Sequence, residues 1–450
     1  MNRKKSTYPF LKIYFNLVFI VILFAIQAQD SLLIKHRLLW TTKAADSLND
    51  LCSRVWDNDR TLALLYGRGA LEISGKINYT HGKATALKNI GNVNLFLGNY
   101  DTAIICYREA ILVFELTGEE KGIAGCNNNI GMVLERTGKY REALSYYKKS
   151  LDFEVRTNNI EGMAISYQNM GNVYFYLGDY KKCIGYFEDA FQYYKIAGNR
   201  DGEIKMLINL AAVYEALADI DKAVSNNEKA LHGARLAGNK YLQATAMNNL
   251  GSNYLESGNL PESMSYLIKA LELRDELHEK SGISSTLKLI GRVYEKQKNY
   301  DKAIDYYFQS LKISEEIDDS RTIAQTFTLI GENLKEKGLV HEAVDYFQQS
   351  LEISREISAR AEIMENYKQL VLAWSSVNEF DSASQYLDLY AVLRDSLSLT
   401  VDHAMKQSAL TGEPETRSQA QLIKTYRRGL IICSIAIVAL IILFITRKRK

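Results

Sequence analysis

Very little in this chain breaks a helix. Only 3 of its 450 residues are proline. Proline removes a backbone donor and clashes with the preceding turn, so its scarcity leaves almost nothing to interrupt helix formation. Cysteine is sparse and unpatterned: Cys52, Cys106, Cys126, Cys183 and Cys433 show no spacing of a metal site or redox motif. Inert packing is the main reading of these thiols, with a Cys106–Cys126 bridge as the lesser alternative. The net charge is only +2, which supplies no basic stripe for nucleic acid. Six histidines (His36, His81, His232, His278, His341, His403) are scattered, with no pair spaced to bind zinc. No G-x-S-x-G, phosphate loop or paired-carboxylate arrangement rises above chance. These absences point away from an enzyme and imply no cofactor, no metal and no nucleic-acid partner.

Two long apolar runs are present, one near each end. The opening "MNRKKSTYPFLKIYFNLVFIVILFAIQAQD" has a basic start, an apolar run over about Phe15–Ile26, then small and polar residues. That layout predicts a secretory signal over residues 1–28, cleaved after Ala28. An uncleaved anchor is the alternative, although the run falls short of the roughly twenty residues a spanning helix needs. Near the other end, "GLIICSIAIVALIILFIT" (Gly429–Thr446) carries no charge and suits a transmembrane helix over residues 428–446. Arg447, Lys448, Arg449 and Lys450 follow it and read as a short cytoplasmic tail, 447–450. Lys424, Arg427 and Arg428 flank the other side, so charge alone leaves the orientation nearly tied. The signal decides it: the expected protein is single-pass in the inner membrane, with its body in the periplasm.

Between the ends the chain repeats itself. "GMVLERTGKYREALSYYKKSL" at 131 returns as "GNVYFYLGDYKKCIGYFEDAF" at 171 and "GRVYEKQKNYDKAIDYYFQSL" at 291. The spacing of 40 residues holds through Gly91, Gly131, Gly171, Ala211, Gly251, Gly291 and Gly331. Apolar residues inside each unit recur at helical spacing. For the unit at Gly171 this predicts one helix over about 161–177, a turn at 178–180 and a second helix over about 181–197. Gly98, Gly138, Gly178, Gly258 and Gly338 fall at the turn, where a helix end often needs a left-handed residue. Pro261 falls at the first residue of a predicted second helix, where its missing donor costs nothing. Small residues at Ala103, Ala143, Cys183, Ala223, Ser263, Ala303, Ala343 and Ala383 are followed four positions on by Tyr107, Tyr147, Phe187, Leu267, Tyr307 and Phe347. Three further on come Ala110, Ser150, Ala190, Ala230, Ala270, Ser310 and Ser350. This small–large–small ridge lets two helices approach closely. One hairpin cannot bury its apolar face alone; stacking does so.

The pattern of Leu or Ile, Gly, two residues, Tyr, then Gly-x-Tyr, then Ala, Phe or Tyr, and Ala or Ser resembles the tetratricopeptide repeat, over roughly residues 40–396. The resemblance implies an all-α, right-handed superhelical solenoid of about nine helix hairpins, within a domain spanning residues 29–396. Two features depart from the family: the unit is longer than the usual 34 residues, and the proline that normally ends it is missing. The 40-residue form is similar to the long-helix variety found in cell-polarity adaptors and bacterial peptide-sensing regulators. The first frame keeps Ala63 and Ala70 without the glycine, and the last has Val371 and Trp374 for glycine and tyrosine. Degenerate outer units are what capping such a stack requires.

In this family the first helices line a concave groove that holds peptides, which implies a partner-binding row here. Two positions before the leading glycine stand Asn89, Asn129, Asn169, Asn209 and Asn249, and one position after it Asn92 and Asn172. Asn128 and Gln168 neighbour the row, and Phe96 and Tyr176 offer aromatic anchors at the helix ends. Amides both donate and accept, so such a row can bind a peptide backbone. The same asparagines can equally bond across to the adjacent helix, and both readings stay open. Beyond about residue 281 the amides give way to charges, among them Lys288, Arg292 and Glu332.

Residues 397–427 leave the register and include the breaker cluster "TGEPE" at 411–415, which suggests a juxtamembrane tether. The reading that follows is a membrane-anchored, exported, non-catalytic scaffold that binds a peptide or protein in its groove. The alternative is the sensory half of a split or truncated receptor, a histidine kinase or transcriptional regulator separated from its output domain.

Overall fold

The computed structural model describes residues 40–56 and 58–410, with side chains described through residue 395. The expected signal (1–28), the breaker cluster, the apolar run at 429–446, the basic tail and Cys433 lie outside the described residues. Among the described residues the secondary structure is entirely helical, with eighteen helices and no strand. They are Thr42–Val55 (α1), Arg60–Lys76 (α2), Thr80–Phe96 (α3), Tyr100–Thr117 (α4), Glu120–Arg136 (α5), Tyr140–Arg156 (α6), Ile160–Tyr176 (α7), Tyr180–Ala197 (α8) and Arg200–Ala216 (α9). Then follow Ile220–Leu236 (α10), Lys240–Glu256 (α11), Leu260–Glu276 (α12), Lys280–Lys296 (α13), Tyr300–Glu316 (α14), Ser320–Glu336 (α15), Val340–Glu356 (α16), Arg360–Ser376 (α17) and Phe380–Leu410 (α18). These pair into hairpins, and α7 and α8 match the boundaries expected from the repeat to within a residue. Among the described residues no helix is long and apolar enough to cross a membrane.

Most helices are 17 residues long, and a turn of two to four residues, usually three, separates each from the next. Every twentieth residue from Asn78 to Asn378 takes a left-handed conformation. The expected turn glycines all do so, Gly138 for instance with φ +75. Ala218 and Lys298 occupy the same position at φ +57 and +60. Next to the turn a short polar side chain often caps the following helix; Asn239 Oδ1 accepts from the Leu242 amide at 3.1 Å. Pro261 stands in the first turn of α12, where no intrahelical bond is lost.

The small–large–small ridge is the core. Ala103, Ala143, Cys183, Ala223, Ser263, Ala303 and Ala343 are fully buried, as are Tyr107, Tyr147, Leu267, Tyr307 and Phe347. The leading glycine has a specific partner in that ridge. A Cβ on Gly91 or Gly131 would lie 2.6 Å from the ring of Tyr107 or Tyr147, and one on Gly331 2.6 Å from Phe347. The second helix thus presses its largest side chain onto a bare stretch of the first. Where Ala211 replaces glycine, the residue sixteen positions on is Asn227 instead of an aromatic.

The described residues divide into two compact units, one holding those up to 177 with 181–198, the other 178–180 with those from 199 onward. In the first, one cluster joins Ala45, Leu48, Ala63, Ala70 and Ile73 across α1 to α3, and a second runs from Ala84 to Val173. The degenerate first frame is therefore packed like its neighbours. In the second unit the clusters centre on Leu250, Ile290 and Phe347. Val371 is buried there, and Trp374 packs on the last cluster. Helix α18 continues to Leu410, so the stretch that leaves the repeat register begins inside a helix. Cys52, Cys126 and Cys183 are buried free thiols and Cys106 is half-buried and free. Burial pushes the Cys126 thiol up to about 12, which keeps it protonated and inert.

Candidate functional site

In the first unit the predicted amides meet along the seam between consecutive first helices, α1, α3, α5 and α7. Asn89 Nδ2 donates to the Asn49 carbonyl at 3.1 Å. Asn129 Nδ2 donates to Asn92 Oδ1 at 2.8 Å, and that oxygen also accepts from the Tyr107 hydroxyl at 2.8 Å. Asn169 Nδ2 donates to Asn128 Oδ1 at 2.9 Å. Gln168 Oε1 accepts from the Tyr194 hydroxyl at 2.8 Å. The amides therefore do tie helix to helix. They also keep unused capacity: except for buried Asn89 they are only half-buried. The Asn92 and Gln168 amino groups, and the whole side chain of Asn172, have no protein partner among the described residues. A cleft of about 260 Å³ opens beside Asn128, lined also by Ser150, Glu154, Asn159 and Ser166.

The two aromatic anchors differ. Phe96 is half-buried, with the Trp56 ring 4.4 Å away and the Arg136 guanidinium 5.3 Å over its face, so it is packing. Tyr176 is 59% exposed although it stacks on Tyr140 at 5.6 Å and meets the Phe175 ring edge-on at 6.0 Å.

In the second unit Asn209 and Asn249 are half-buried and have no side-chain hydrogen bond among the described residues. Their neighbours carry the ties: Asn248 Oδ1 accepts from the Thr286 hydroxyl at 2.9 Å. Where charges replace amides, they form separate paired groups. Lys288 Nζ donates to Gln325 Oε1 at 2.9 Å, and Gln325 Nε2 to Glu362 Oε1 at 3.1 Å. Arg292 pairs with Glu256 at 3.0 Å. Gln369 Nε2 donates to both Glu332 (2.6 Å) and Glu365 (2.9 Å), while Gln369 Oε1 accepts from Lys335 Nζ at 2.9 Å. Burial lowers the Lys288 ammonium below the usual lysine range, opposed by Asp319. Burial, then the charges of Glu295 and Glu365, push the Glu332 carboxyl up to about 7.

Sequence reasoning missed a second row, four residues past the leading small residue at alternate repeats: Glu135, Glu215 and Glu295. Each receives a hydrogen bond from a neighbouring helix. Tyr147 donates to Glu135 at 2.7 Å, Asn253 to Glu215 at 3.3 Å, and Tyr307 to Glu295 at 2.8 Å. Asn333 adds a second bond to Glu295 at 3.2 Å. The 80-residue recurrence of glutamate was the available signal. Among the described residues no group of histidine, cysteine and carboxylates is arranged to hold a metal.

Each unit offers a series of amides or charges on its first helices, and among the described residues there is no nucleophile–base pair. Family models for the tetratricopeptide repeat match residues 82–153, 162–235, 242–316 and 324–357. Among curated proteins none matches the chain in sequence. The fold is similar to that of the apo quorum sensor NprR from B. thuringiensis (14% identity, 78% of this chain and 99% of that one, TM-score 0.55). It is also similar to aspartyl phosphate phosphatase F from Bacillus subtilis (16%, 78% and 93%, TM-score 0.53). A third likeness is to a signal-transduction ATPase with a tetratricopeptide repeat sensor from Pyrococcus horikoshii (13%, 83% and 55%, TM-score 0.53). With the forty-residue period, the glycine–aromatic contact and the matched repeats together, the chain belongs to the tetratricopeptide repeat family.

Proposed function

We propose that this protein is a membrane-anchored, exported scaffold that binds a peptide or protein partner along the seam of its first helices, without catalysis. The observation that carries the reading is the set of half-buried amides with unused donors and acceptors, Asn92, Gln168, Asn172, Asn209 and Asn249. Unused amide groups in a repeating row match the needs of a peptide backbone, which presents a donor and an acceptor at every residue. The test is recovery of partners from envelope extract by the full chain and by an Asn172→Ala/Asn209→Ala/Asn249→Ala variant. The variant is expected to lose recovery while remaining helical; unchanged recovery by a folded variant removes the seam from the account.

Export and anchoring rest on the two apolar runs at 15–26 and 429–446. Fractionation is the check: the chain is expected in the membrane fraction, with its repeats open to protease in spheroplasts, and deletion of 429–446 is expected to release it. Repeats protected in spheroplasts would reverse the orientation.

A further inference from the structure

A second cleft, about 430 Å³ in volume, lies at the C-terminal ends of α13 and α15. Its lining includes Glu295, Glu332 and Asn333, with Lys296, Lys298 and Lys335. Lys296 and Lys298 are exposed, and Lys335 Nζ is engaged by Gln369. The less exposed lining is rich in acceptors. Glu295 and Glu332 are half-buried, and Asn333 is only 1% exposed. The Asn333 amino group is satisfied by Glu295 and by the Leu329 carbonyl, but its buried oxygen has no hydrogen-bond partner. Flipping the amide would set its oxygen against two acceptors, so the two bonds fix the orientation and the orphan is the oxygen.

Two carboxylates, each already taking a side-chain hydrogen bond, and an orphan amide oxygen on adjoining helices leave the less exposed part of the cleft with more acceptors than donors. A buried acceptor without a donor is costly, and so are like charges held close together. We propose that this cleft receives an arginine side chain of the protein or peptide partner. A guanidinium brings five N–H donors in one plane and a charge that no titration near neutrality removes. The inference rests on the scaffold reading and names the chemistry its partner must carry.

The groups that face Glu332 are Glu295 from α13, Tyr307 from α14, Lys335 on its own helix, and Glu365, Lys368 and Gln369 from α17. Because Glu332 is held up to about 7, a bound cation must favour its ionised form, and binding must strengthen as pH rises through neutrality.

The test titrates N-acetyl-arginine amide, with N-acetyl-citrulline amide as the neutral isostere, into the full purified chain in detergent. Saturable binding of the arginine probe alone is expected, roughly tenfold tighter at pH 8 than at pH 6. Glu332→Gln is expected to lose this gain at pH 8 with no fall in melting temperature. Equal binding of both probes, or an unchanged Glu332→Gln titration, overturns the proposal. If Glu332→Gln does not fold, the probe comparison and pH series on the wild-type chain decide alone. Loss of arginine binding with partner recovery still dependent on the asparagines sinks only this site. Arginine binding with asparagine-independent recovery sinks the seam instead.

Discussion

Gly131 and Tyr147 are a matched pair: a Cβ on Gly131 would stand 2.6 Å from the tyrosine ring, whose hydroxyl donates to Glu135 four residues further along the same helix as Gly131. The contact brings two helices together and satisfies a buried hydroxyl in one step. Gly131→Ala is expected to destabilise the α5–α6 hairpin by about 1–3 kcal/mol, the usual range for overpacking. The reverse change at the exceptional repeat, Ala211→Gly, meets no ring and is expected to lose about 0.5–1 kcal/mol through backbone entropy. Opposite substitutions should therefore both destabilise. Hydrogen exchange localised to each hairpin measures this, and a neutral Gly131→Ala would remove the packing argument.

The turn rule gives a change of the other sign. Ala218 is left-handed at φ +57, in the register that glycine fills at 98, 138, 178, 258 and 338. A left-handed L-residue is strained by roughly 1–2 kcal/mol, and glycine's entropy offsets part of that. Ala218→Gly is expected to stabilise by about 0.5–1 kcal/mol, read as a raised denaturation midpoint. A lowered midpoint would show that the strain is relieved by another route.

The amide ties have a modest weight of their own. Asn169→Ala removes the 2.9 Å bond to Asn128 Oδ1, in a half-buried place where water can replace it. A loss of about 0.5–1.5 kcal/mol is expected. A loss several times larger would mean that the row is purely structural and would weaken the case for a partner there.

Much of this was legible in the sequence. The period marked out the hairpins, the turn glycines and Pro261, because each follows from local backbone geometry that repeats with the chain. The ridge from Ala103 to Ser350 was legible for the same reason. The reason for the leading glycine was not, since it depends on which ring from the next helix lands on it. The dual role of Asn92, accepting from both Tyr107 and Asn129, was equally hidden. Hydrogen-bond partners 37 or more residues away follow from the stagger between helices, which no single repeat encodes. The Glu135–Glu215–Glu295 row escaped because it recurs only at every second unit.

Glu332 offers the clearest pH signature. Its carboxyl is raised from an ordinary 4.5 to about 7, first by burial and then by Glu295 and Glu365. Unfolded, the group loses its proton near 4.5; folded, it holds it to near neutrality. Its contribution to stability is therefore complete below about pH 4.5 and is lost as pH rises through 7. Glu332→Gln carries no charge at any pH and keeps an oxygen for Gln369. Relative to wild type it should be near neutral at pH 4.5 and stabilising at pH 8, by roughly 1–3 kcal/mol once solvent screening is allowed for. Denaturation midpoints of the two proteins across that range provide the measurement. An advantage that stayed flat, or shrank as pH rose, would mean that the three carboxylates do not crowd one another.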